Sequence, residues 1–324
     1  MSGATVLGSL PGRDFPAAAR LMLSDVPDLP CLPELPARGP WAGMIGRAAA
    51  LLAGLDAEFA AGQWRLAAHP GVDLRRARAT LRDDLDILEE AADGYSGPLK
   101  VQVTGPWTLA ASVFLPLGGR LLADRGARRD LAQSLAAGVA DHVAEVARRV
   151  PGAVVRLQVD EPSLPAVLAG TVPTEGGYFR HRAVEASEAA ERLAEFAALT
   201  PDALVHCCAP DVPVGLLTRT GRDGAGFAGL SLDAALVGRL DPIAEAVERG
   251  VDLYWGVTSG PEASDAIVSR TLAHLRPLEL GETLADRLWL TPACGLAGLS
   301  VPEVPRVLAS LRTAAADVQD ALRS

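Results

Sequence analysis

Short apolar runs alternate with longer amphipathic stretches along nearly the whole chain. The runs predict strands at Ala4–Gly8, Trp64–Ala68, Leu99–Thr104, Val154–Asp160, Ala203–Cys208, Ala228–Asp233, Asp252–Thr258 and Arg287–Thr291. Between them, apolar residues recur at helical spacing, as in 73–92 with Leu74, Ala77, Leu81, Leu85 and Leu88. Asp241-Pro242 offers a helix start, with a capping side chain followed by proline in the first turn. Eight strands alternating with helices predict a parallel sheet, and the absence of a G-x-G-x-x-G turn after the first strand disfavours a dinucleotide-binding sheet. The expected fold is a single-domain (β/α)8 TIM barrel over residues 1–324. Its Pro-rich stretch 27–40 (PDLPCLPELPARGP) is read as a rim loop or N-terminal extension.

In such a barrel, chemistry gathers at the C-terminal ends of the strands. Here those ends carry Ser9, His69, Gln102 with Thr104, Asp160-Glu161, His206 with Cys208, Asp233, Thr258-Ser259 and Cys294. Alternation along the fifth strand sends His206 and Cys208 to one face and Cys207 to the other, so Cys207 is read as a small buried hydrophobe. Cys294, at the end of the eighth strand, would complete a nitrogen–sulfur–sulfur set, the pattern of a catalytic zinc with one position open. Spacing alone leaves zinc and a coincidental cluster both standing, since H-x-C with one distant cysteine is weaker than paired C-x-x-C knuckles. Asp160-Glu161 is read as substrate-binding at the rim. Glu34–Arg38 and Arg13 are read as solvated charge, His142 as a surface residue, and Trp107 as either core or a stacking platform.

Composition narrows the class. The net charge is −10, and Lys100 is the only lysine among 30 basic residues. No basic stripe exists to bind nucleic acid or an anionic membrane. The longest apolar run is far too short for a membrane span. The first residues lack the pattern of a secretory signal. Four cysteines in so long a chain do not make a disulfide framework. A cytoplasmic protein with reduced thiols is expected.

The segments VLGSLPG, VQVTGPWTLA, LQVDEPSL, VHCCAP, AGLSLD and RLWLTPACGLAG together resemble the catalytic barrel of cobalamin-independent methionine synthase, in a single-barrel form. The resemblance spans essentially the full chain. It implies zinc-dependent transfer of a methyl group to the thiol of homocysteine. It further implies that His206, Cys208 and Cys294 are zinc ligands, that Asp233 stands where the family has a glutamate ligand, and that Ser9 and Asp160 hold the amino-acid part of the substrate. Three departures accompany it. Thr258 stands near the place of a family histidine linked to protonating the departing folate. Ala293 replaces an aspartate before Cys294, and the family's glutamate after the second strand has only His69 nearby. These departures point to a changed methyl donor or acceptor, with methyltetrahydrofolate and a methylated corrinoid protein as the alternative donors. Two rival readings are a metal-free lyase of the decarboxylase branch and a non-catalytic zinc-binding barrel.

Overall fold

The computed structural model describes residues 2–218 and 226–324. Nine strands occur among them: β1 (Gly3–Ala4), β2 (Asp56–Ala60), β3 (Gln63–Ala67), β4 (Gly97–Thr104), β5 (Ala153–Asp160), β6 (Leu204–Cys207), β7 (Gly229–Asp233), β8 (Asp252–Thr258) and β9 (Leu288–Pro292). Seven form one curled parallel sheet in the order β1-β9-β8-β7-β6-β5-β4. Helices such as Arg125–Arg149 and Val304–Arg323 connect and cover them.

The expected second strand is corrected. Trp64–Ala67 belongs to β3, which pairs antiparallel with β2 in a separate two-stranded sheet. Only Ala61 and Gly62 lie between the two, and both have positive φ, 50° and 78°. A two-residue turn of that geometry makes a hairpin, whereas a parallel stave needs a long crossover. His69 accordingly sits on the exposed exit of this hairpin, outside the parallel sheet.

The place between β1 and β4 is taken by part of the Pro-rich stretch that was expected to be a loop. Leu32 N–H donates to the Lys100 carbonyl (2.9 Å) and Lys100 N–H to the Pro30 carbonyl (2.8 Å). On the other side, Glu34 N–H donates to Gly8 (3.0 Å) and Leu10 N–H to Glu34 (2.8 Å). Prolines 30, 33 and 36 cannot donate, so the segment makes isolated bridges, Cys31 to Lys100 and Ser9 to Glu34, in place of a regular ladder. The sheet is therefore seven-stranded among the described residues, and the eighth position is filled by this irregular segment.

Alternation divides the strands into two faces. Val101, Val103, Leu157, Val159, Val205, Leu230, Leu232, Leu253 and Leu290 face outward into the main core beneath the helices. Val304, Val307, Leu308, Leu311 and Val318 supply the matching stripe of the last helix. The inward face holds a small apolar floor of Leu29, Leu204, Tyr254 and Trp289. The two rings there stack with centroids 5.6 Å apart and planes 7° apart. Gly229 makes room for them, since a Cβ there would lie 2.7 Å from Leu204 and 2.9 Å from the Tyr254 ring. Farther along the strands toward their C-terminal ends, the inward face is polar and buried: Lys100, Gln102, Gln158, Ser231 and Thr291.

Candidate metal and substrate site

His206, Cys208 and Cys294 converge at the C-terminal mouth, with one ligand atom from each within 4.8 Å of the others. The thiols of Cys208 and Cys294 are 3.5 Å apart and not bonded as a disulfide. His206 lies on β6, paired in register with Ser231 of β7. The Ser231 hydroxyl is 2.9 Å from His206 Nδ1, which leaves Nε2 to face the thiols. Such an outer hydrogen bond fixes the orientation of a ligating imidazole. Cys207 is fully buried on the opposite face, and burial pushes its thiol up to about 12.

The donor set fits zinc. With Zn–S bonds of about 2.3 Å, a tetrahedral site separates two sulfurs by about 3.8 Å. The observed 3.5 Å is close to that edge, whereas a disulfide needs about 2.05 Å. The Cys294 thiol is held well below its usual range, chiefly by the hydrogen bond with Cys208 and then by His206, while the same contact and burial push Cys208 up.

The trio forms one wall of a cavity of about 220 Å3, lined also by Ser9, Glu34 and Asp160. The tail of β9 is tied to the first strand's exit, because Leu296 N–H donates to the Ser9 carbonyl (2.8 Å). Gly295 is required for this approach, since a Cβ there would lie 1.9 Å from Ser9 Oγ. Asp160 ends β5 and accepts from Gln158 Nε2 at 2.7 Å. Burial and the nearby Glu34 push its carboxyl well above the usual range. Burial likewise pushes Glu34 up, against the pull of Arg47. A cation placed between the two would favour their ionised forms and offset the effect of burial.

Glu34 corrects the reading of that stretch as solvated charge. Its side chain is buried and ion-paired to Arg47 (3.2 Å). Arg47 also reaches Asp84 (3.2 Å), whose carboxylate takes a bidentate pair of bonds from Arg38 at 2.7 and 2.6 Å. His142 is buried beside this network and not at the surface, and burial pulls it down to about 4.

Two sequence-predicted residues are not brought to the cavity. Glu161 turns the other way. Its oxygens accept from Trp107 N–H (2.9 Å), Thr108 N–H (2.8 Å) and the Thr108 hydroxyl (2.7 Å), holding the start of helix Pro106–Ser112. Burial nevertheless pushes its carboxyl up to about 7, against the pull of these donors. Trp107 packs in the core with its indole N–H on the Ala189 carbonyl (3.3 Å). Asp233 accepts from Ala235 N–H (2.9 Å) and lines a separate cavity of about 440 Å3 with Asp211 and Arg239. It is not among the groups that cluster with His206, Cys208 and Cys294. An aspartate at a strand exit readily caps the next turn, and that local bond competes with reaching a metal.

Among the described residues, no helix is long and apolar enough to cross a membrane. Comparison with curated proteins gives no match. Among solved structures, the chain is similar to a B12-independent methionine synthase from Shewanella sp. W3-18-1 in complex with selenomethionine, at 16% identity and a TM-score of 0.62. The similarity covers 99% of each chain. A family model described as the catalytic domain of cobalamin-independent synthase matches residues 90–317, more than two thirds of the chain. The chain therefore belongs to the cobalamin-independent methionine synthase family, methyltransferases that act on homocysteine.

Proposed function

We propose that the chain transfers a methyl group to the thiol of homocysteine, with zinc held by His206, Cys208 and Cys294. The observation that carries this reading is the shape of the cavity: a nitrogen–sulfur–sulfur set on one wall, with Ser9 and two carboxyl groups close by. Asp160 and Glu34 receive the substrate's ammonium by charge-assisted hydrogen bonds. Ser9 hydrogen-bonds its carboxylate. Anchored there, the substrate extends its thiol toward the trio. Zinc held by His206, Cys208 and Cys294 would lower the thiol's pKa and supply it as a thiolate. The thiolate sulfur then attacks the donor's methyl carbon, forming the C–S bond as the donor leaves with the electron pair of its bond to that carbon. Holding the two in line contributes much of the acceleration. Asp233 takes no part in the metal set. Reduced thiols are needed throughout, which suits a cytoplasmic enzyme.

The donor side favours a methylated corrinoid. A folate amine leaves best when protonated, and Thr258 is poorly placed to supply a proton. Its hydroxyl already donates to the Gly260 carbonyl (2.6 Å), closing its own loop. A corrinoid leaves as a metal-centred anion and needs no such proton. Zinc-loaded protein given homocysteine is expected to form methionine from methylcobalamin and not from methyltetrahydrofolate. Rapid turnover with the folate would overturn the donor assignment. The lyase reading has no support among the described residues, where no arginine lines the cavity to receive substrate carboxylates.

A further inference from the structure

The polar interior beneath the cavity holds a cation that the methyl transfer does not use. Lys100, the chain's only lysine, is fully buried on the inward face of β4. Its Nζ donates to the Gln158 side-chain oxygen at 2.7 Å and to the Val6 carbonyl. Neither acceptor is charged. Burying an ammonium among neutral acceptors is costly, and an apolar side chain would fill the same space more cheaply. Burial pulls Lys100 down to about 8. Asp160 is among the groups opposing that pull, and it lies one side chain farther along: Gln158 Nε2 donates to Asp160 at 2.7 Å and to the Leu7 carbonyl at 3.1 Å.

The chain of bonds has one polarity only. A lysine can only donate, so the Gln158 oxygen must face it and the Gln158 NH2 must face Asp160. Glu34, the second carboxylate of the cavity, is backed directly by Arg47, and Asp160 is backed through this relay.

We propose that Lys100 is a positioning residue that fixes the Gln158 amide and, through it, holds Asp160 turned toward an amino-acid ammonium in the cavity. The inference rests on the proposed role of Asp160, and its test needs neither metal nor turnover. The probes are L-methionine and its des-amino analogue, 4-(methylsulfanyl)butanoate, titrated calorimetrically into the full chain. Wild type is expected to prefer L-methionine, and Asp160→Asn to lose most of that preference. Lys100→Met is expected to bind L-methionine roughly tenfold more weakly, the equivalent of one good hydrogen bond, and to bind the analogue as wild type does. Gln158→Glu keeps an acceptor for Lys100 but removes the donor to Asp160, so it tests the relay even if Lys100→Met fails to fold. It is expected to show the same selective loss. Unchanged L-methionine affinity in the Lys100 and Gln158 variants, with the Asp160→Asn effect present, overturns the inference alone. Equal weakening of both ligands also overturns it, because that marks a merely structural role. An intact preference in Asp160→Asn overturns the Asp160 reading, and the inference with it.

Discussion

Replacing Cys208 or Cys294 with serine is expected to abolish tight zinc binding and methyl transfer together. Each thiol supplies a third of the donor set, and a neutral hydroxyl is a far poorer ligand than a thiolate. Even changes one shell outside a metal cost about 10–100-fold in affinity, so loss of a direct ligand costs at least that much. Metal analysis after dialysis against a weak chelator is expected to give close to one equivalent in wild type and almost none in either variant. Asp233→Ala is the informative control. Its carboxylate is engaged with Ala235 N–H, so this variant is expected to keep its zinc. Retention of one equivalent in both cysteine variants would rule out the trio as the metal site.

The second large effect concerns stability. Asp84 is fully buried and is the shared anion of Arg38 and Arg47. Asp84→Asn removes the charge and leaves two guanidiniums facing a neutral amide. Breaking a buried pair in this way costs about 3–5 kcal/mol. For a chain of this length, a loss of that size lowers the melting temperature by about 4–7 °C. Because Arg47 also holds Glu34, the same variant is expected to weaken amino-acid binding in whatever fraction stays folded. A melting temperature within a degree or two of wild type would show that the network carries little of the fold.

Much of this architecture was legible in the sequence, and the exceptions have physical causes. The strands β4 through β9 announce themselves because their outward face is continuously apolar and their exits are polar. The stretch over residues 30–36 does not. Its three prolines interrupt both the alternation and the hydrogen-bond ladder, so it reads as a loop although its remaining N–H groups bond to both neighbours. The reading of Glu34 as solvated follows from the same cause, since a charge in an apparent loop looks exposed. Trp64–Ala67 misleads in the opposite direction: its composition suits a strand, but the Ala61-Gly62 turn before it dictates a hairpin. Within the site, strand alternation separates Cys207 from its neighbours. The same rule applied to Asp160 and Glu161 would have sent only the first toward the cavity. Asp233 is a different case, because a side chain's preference for capping the next turn leaves no periodic signal.

The central claim is that a zinc at His206, Cys208 and Cys294 receives the substrate's thiol in an open position. Zinc X-ray absorption on the loaded protein, before and after adding homocysteine, tests it most directly. Two sulfurs and one imidazole nitrogen are expected at first, and a third sulfur at about 2.3 Å once homocysteine is present. A sulfur count unchanged by saturating homocysteine would contradict it.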